Sequence, residues 1–229
     1  ILHLLPGLSR LTQVEAADAT PRFESEIQAF LEADRKAPRQ PGGILFVGSS
    51  IFREWTNVAT AMDPLPVLNR AFGGSKTQDQ LDRFDQVVKP HGPRVVVYYC
   101  GSNDLKGGDQ PEAIFVRFKA FSERLLREFP ECRLIVVSST RSPDRVPIWE
   151  RVDQYNGLVR AHCTVVPHHT FIDLNPVLVD ADGRPRLELY RDDRLHFHPK
   201  AYEEFTRRIR PVLENVWREA QKDPSVTKP

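Results

Sequence analysis

Five short apolar runs, rich in β-branched residues, alternate along this chain with longer amphipathic stretches, and that alternation restricts the fold more than any other feature. The runs cover residues 44–47, 66–69, 94–100, 133–138 and 169–173. Near-continuous apolar character, as in Val95-Val96-Val97-Tyr98-Tyr99, marks strands buried on both faces, the condition of a parallel sheet. Parallel neighbours need crossover connections, and the stretches at residues 22–36, 77–88, 111–129, 148–163 and 200–221 have helical length and spacing. Ser75 or Thr77 is suited to cap the second of these, and Pro111 and Pro199 suit first helical turns. The expected fold is therefore α/β: a doubly wound, flavodoxin-like sandwich with a five-stranded parallel sheet and helices on both faces.

At 229 residues with 40% hydrophobic content, the chain can build one sizeable core, and a prior of roughly 150 residues per domain does not demand two. One domain is expected over residues 21–222, followed by a polar tail at residues 223–229. Residues 1–20 read as an N-terminal arm or a residual targeting segment. Ile1 to Leu5 is largely apolar and Ala17-Asp18-Ala19 has the small-residue form of a cleavage site, but no basic segment stands ahead of them. No run approaches the 18 or so apolar residues of a membrane span, so a soluble protein is expected, cytoplasmic or exported. Thirty-two Lys and Arg balance 31 Asp and Glu, which gives no global field to draw nucleic acid or an acidic membrane. The three cysteines are odd in number and lack metal-type spacing, so buried free thiols are expected. Balanced charge and scattered aromatics mark no subunit interface, and the oligomeric state is not read from the sequence.

Ligands of doubly wound sheets bind beyond the C-terminal ends of the strands. Here Gly48-Ser49-Ser50 follows the first strand, Gly73-Gly74 the second and Gly101-Ser102-Asn103-Asp104 the third, while a loop carrying Asp193-Arg194-Leu195-His196 follows the last. Any one of these is an ordinary turn sequence. Together they offer what acyl transfer requires: a nucleophilic hydroxyl, a base, a group to orient that base, and donors for a developing oxyanion.

In this order and at these strand ends, the residues resemble the SGNH hydrolase superfamily, the GDSL-type esterases and lipases, over about residues 43–202. The resemblance implies Ser50 as nucleophile, His196 as base and Asp193 as the carboxylate that orients it. It also implies an oxyanion hole from the backbone N–H groups of Ser50 and Gly74 and the side-chain amide of Asn103, with no cofactor and no metal. The implied substrate is a small-molecule ester, with short acyl groups expected because no apolar lid-like insertion is visible. Carbohydrate O-acetyl ester hydrolysis is the alternative within that chemistry, and a non-catalytic ligand-binding module the alternative outside it. One departure stands out: the family block usually reads Gly-Asp-Ser, and this chain has Ser49 in place of the acid.

Competing assignments follow from neighbouring residues. Ser49 adjoins Ser50 as a second hydroxyl, and Asp192 adjoins Asp193 as a second acid. His196 and His198 share a face of an extended segment, yet no Cys or third His completes a metal site, and His168-His169 reads as structural. Arg53, Arg70 and Phe72 fall just after the first two strands and are candidates for the pocket border, with Trp55 or a carboxylate as the competing partner of Arg70. The chain does not satisfy Gly-x-Ser-x-Gly, nor does a phosphate-binding glycine motif follow the first strand.

Overall fold

The computed structural model describes residues 22–222, so the expected N-terminal arm and polar tail lie outside the described residues. Strands β1 (Ile44–Gly48), β2 (Val67–Asn69), β3 (Val95–Tyr99), β4 (Arg133–Val137) and β5 (His169–Ile172) form one parallel sheet in the order β2-β1-β3-β4-β5. The helices in chain order are α1 (Glu24–Lys36), α2 (Ser50–Arg53), α3 (Val58–Ala61), α4 (Thr77–Asp82), α5 (Phe84–Val87), α6 (Ser102–Lys106), α7 (Pro111–Glu128), α8 (Trp149–Val165) and α9 (Pro199–Lys222). This is the expected doubly wound order, and its switch point lies between β1 and β3, whose onward connections leave toward opposite edges of the sheet.

Because side chains alternate along a strand, each strand feeds two cores. Ile44, Phe46, Val95, Val97, Tyr99, Ile135 and Val137 face one layer, where α2, α3 and α9 supply Phe52, Val58, Tyr202, Phe205 and Leu213. Leu45, Val47, Val96, Tyr98, Leu134 and Val136 face the other, where α1, α5, α7 and α8 supply Ile27, Phe84, Phe118, Phe121 and Val159. Helix α9 buries Ala201, Phe205, Ile209, Leu213, Val216 and Ala220 at three- and four-residue spacing, which is the stripe an amphipathic helix needs to cover a sheet.

Two features differ from the sequence expectation. The helix expected over residues 77–88 breaks at Arg83 (φ −97°, ψ 6°), where the side chain turns back to α1, 3.0 Å from Glu24 and 2.8 Å from the Arg22 carbonyl. Short helices α2 and α6 begin directly after β1 and β3; at four and five residues they span about one turn, too little for apolar periodicity to reveal. All three cysteines are buried and free.

The switch point rests on Gly48. Its φ is 142°, and a Cβ there would stand 1.9 Å from the Tyr99 carbonyl oxygen, so a side chain cannot enter without separating β1 from β3. Gly48→Ala is expected to destabilise the protein by at least about 3 kcal/mol, from backbone strain and overpacking together, measured as the shift in urea unfolding. An unchanged unfolding midpoint would contradict the close approach.

Candidate active site

Ser50 is the first residue of α2 and is half-buried. The extended backbone of Ser49 (φ −102°, ψ −159°) brings the chain out of β1 and into the helix, and the Ser50 Oγ lies 3.0 Å from His196 Nε2. The neighbouring Ser49 is buried at 2% exposure; its N–H donates to the Tyr99 carbonyl (3.0 Å) and its own carbonyl accepts from the amides of Phe52 and Arg53 (3.1 Å each). Of the two hydroxyl residues, Ser50 is the one bonded to the imidazole.

The histidine arrives already aimed. Residues 190–197 form a tight loop closed by a Tyr190–Phe197 bridge and by Arg191 N–H donating to the His196 carbonyl (2.8 Å). At its tip Asp193 Oδ1 accepts from the amides of Leu195 (3.0 Å) and His196 (2.9 Å), while Arg194 takes a left-handed turn conformation (φ 55°). This leaves Asp193 Oδ2 2.6 Å from His196 Nδ1. Burial pushes the Asp193 carboxyl upward, but the His196 bond and the two amides outweigh it and hold the group down at about 2. Asp192, within this loop, and His198, just after it, are exposed.

On the other side of Ser50, two loops meet. Gly74 has φ 71°, and the space where its Cβ would stand is open. Among the described residues, the N–H groups of Ser50 and Gly74 have no hydrogen-bond acceptor. The Asn103 side chain donates from Nδ2 to the Ser75 carbonyl (3.1 Å) and accepts at Oδ1 from Arg145 (3.3 Å). Behind these groups, Asp104 is fully buried and accepts from the Thr77 amide (3.1 Å), the Thr77 hydroxyl (2.6 Å) and Arg117 (3.1 Å). Burial raises the Asp104 carboxyl above the ordinary range in spite of those bonds. The Gly48 carbonyl accepts from the Ser75 hydroxyl and from Gln80, each at 3.2 Å. Ser75 and Thr77 thus bind the two loops together instead of capping α4, where Asp79 accepts from the Lys76 amide (2.7 Å).

Two of the expected pocket residues are elsewhere. Arg70 and Phe72 follow β2, but their amides still bond β1, at Phe46 (2.8 Å) and Gly48 (3.0 Å), so the strand alternation continues and turns both side chains into the α1 layer. Arg70 pairs with Asp34 and lies 5.1 Å from the Phe30 ring, and Phe72 is fully buried 5.0 Å from Phe23. Trp55 is buried against Phe46 and Tyr202, away from Arg70. Arg53 is half-exposed and lies 3.5 Å from Glu26, against Gly73. Glu54 was not expected: its Oε1 is 3.7 Å from His196 Nε2 and its Oε2 is 2.8 Å from Arg191, a contact in distance without hydrogen-bond alignment. Among the described residues, no cluster of three His, Cys, Asp or Glu is arranged to hold a metal ion.

The depressed Asp193 carboxyl has a sign. Its folded value lies below the ordinary aspartate value of roughly 3.9, so its contribution to stability is present above about pH 4 and disappears as pH falls toward 2. Carboxyl NMR titration is expected to follow Asp193 with a midpoint near 2, and an ordinary midpoint would contradict the bonding described.

Residues 46–204 match the model of the GDSL-like lipase/acylhydrolase family. The chain is 28% identical over 214 residues to the human platelet-activating factor acetylhydrolase IB subunit alpha1, covering 90% of this chain and 88% of that one. A GDSL-like lipase from Bacteroides thetaiotaomicron superposes with a TM-score of 0.70 at 18% identity, covering 82% of this chain and 97% of the other. A carbohydrate esterase family 3 protein from Talaromyces cellulolyticus does so with a TM-score of 0.60 at 15% identity, covering 78% and 99%.

Proposed function

The chain belongs to the GDSL-like lipase/acylhydrolase family and is an ester-bond hydrolase, and from that premise we propose that it cleaves short acyl esters through an acyl-enzyme formed on Ser50. The observation that carries this reading is the unbroken line Ser50 Oγ, His196, Asp193, with links of 3.0 Å and 2.6 Å. His196 Nε2 takes the serine proton as Oγ attacks the ester carbonyl, and the developing oxyanion is bound by the Ser50 and Gly74 amides and by Asn103 Nδ2. The imidazolium then protonates the leaving alcohol. Water enters, gives a proton to His196 and attacks the acyl carbon, and the acid departs with Ser50 restored. Asp193 keeps the proton of neutral His196 on Nδ1, so that Nε2 is free to act as base, and it stabilises the charged form.

The small size proposed for the acyl group has two supports. Glu54 lies 3.7 Å from His196 Nε2, with Arg191 and Arg53 2.8 Å and 3.4 Å from its carboxylate, and charged groups there suit a compact polar ester better than a long alkyl chain. The human relative is named an acetylhydrolase, and an acetyl group meets the same requirement.

Nitrophenyl esters test both levels of the reading. Ser50→Ala is expected to abolish turnover, and undiminished turnover would remove Ser50 as nucleophile. Asn103→Ala is expected to lower kcat by roughly 100- to 1,000-fold, the usual cost of one oxyanion donor. Across acetate, butyrate and decanoate, kcat/KM is expected to fall with chain length; a preference for decanoate would contradict the short-acyl assignment. Acetylated sugars in the same panel separate simple esters from carbohydrate esters as the alcohol component.

A further inference from the structure

Arg145 lies in the short 3-10 segment Pro143–Ile148 that follows β4, in a kinked conformation (φ −121°, ψ 21°) that breaks the turn and sends its side chain inward. It is only 6% exposed, an unusual position for an arginine without a dedicated buried carboxylate. Nearest in charge is Asp144, 3.8 Å from Nε and itself exposed, and the buried Nε has no hydrogen-bond acceptor. The guanidinium is instead spent on one short piece of chain. One nitrogen donates to both the carbonyl (2.7 Å) and the hydroxyl of Ser102, and the other donates to Asn103 Oδ1 (3.3 Å).

We propose that Arg145 is a positioning residue for the oxyanion site, one that fixes the orientation of the Asn103 amide; the inference rests on the acyl-enzyme reading above. An arginine has donors and no acceptor, so it tolerates only the oxygen end of an amide. Its contact with Oδ1 therefore sets the nitrogen end toward Ser75. The Ser75 carbonyl takes one Nδ2 hydrogen, and the second is left for the oxyanion. The Ser75 carbonyl, an acceptor only, favours the same orientation from the other end; without Arg145 the Asn103 amide is restrained from that end alone, and rotation would present its carbonyl oxygen to a developing negative charge. The same segment is tied to the histidine loop by the Asp144 amide, which donates to the Arg194 carbonyl (3.1 Å), so one stretch of chain contacts both halves of the site. The guanidinium also draws electron density toward Oδ1, which strengthens Nδ2–H as a donor.

The test is a double-mutant cycle on nitrophenyl acetate, with thermal melting to verify folding: Arg145→Gln and Arg145→Lys, each alone and combined with Asn103→Ala. In the Asn103 background, Arg145→Gln is expected to lower kcat by up to roughly 100-fold, the scale of a displaced catalytic group, with KM nearly unchanged. Arg145→Lys is expected to lose less, because a point donor reaches Ser102 or Asn103 but not both. With Asn103→Ala already present, either substitution is expected to cost little more. Should Arg145→Gln not fold, the lysine variant carries the comparison in both backgrounds. Equal losses with and without Asn103, or unchanged kcat in the folded Arg145 variants, would overturn the positioning role while leaving the Ser50 mechanism intact. An Asn103→Ala enzyme with undiminished kcat would instead remove Asn103 from the oxyanion site, and this proposal with it.

Discussion

The pairing of β1 with β3 up to its last rung is the constraint on which the site depends. Gly48 stands opposite Tyr99 in that register, with room for no side chain, and the two strands end together. Ser50 and Asn103 are each near the start of the short helix that follows its strand, so the sheet sets where both helices begin. The parallel sheet is buried on both faces by packed layers, and such cores do not deform gradually. A site placed at the end of this pairing is anchored by that packing, the preorganisation that the proposed oxyanion binding would need.

The two halves of the site are supported in different ways. The Asp193–His196 pair is local and near solvent, oriented by amides two and three residues away. The opposite half is held by long-range polar contacts in the interior: Asp104 with Thr77 and Arg117, and the Gly48 carbonyl with Ser75 and Gln80. Most buried polar groups in folded proteins are satisfied, and removing one member of a buried charged network commonly costs about 3–5 kcal/mol. The network also bears on Ser49. Ser49 is a small buried residue, and the turn before Ser50 is secured through the Gly48 carbonyl by Ser75 and Gln80.

What was legible in the sequence follows the same division. The strands could be read because each is a nearly uninterrupted apolar run, and the Asp193-to-His196 spacing because the pair is formed within one loop. Arg70 and Phe72 are away from the rim because the pleat continues as far as Phe72, three residues past the strand, and turns both inward. The break at Arg83 answers to a partner in α1 some sixty residues away, which no local pattern encodes. Asp104 was visible in the sequence only as part of the turn Gly101 to Asp104, and Arg145 and Glu54 had no signal of their own: a charged residue beside a strand end reads as solvated until the fold supplies its neighbours.

The central claim is that Ser50, and no neighbouring group, is activated by His196. Labelling with a fluorophosphonate, followed by peptide fragmentation that separates Ser49 from Ser50, tests it directly because only an activated serine reacts readily. The account predicts one phosphonyl group per chain, on Ser50, lost in His196→Ala. A label on Ser49, or no label on folded protein, would contradict it.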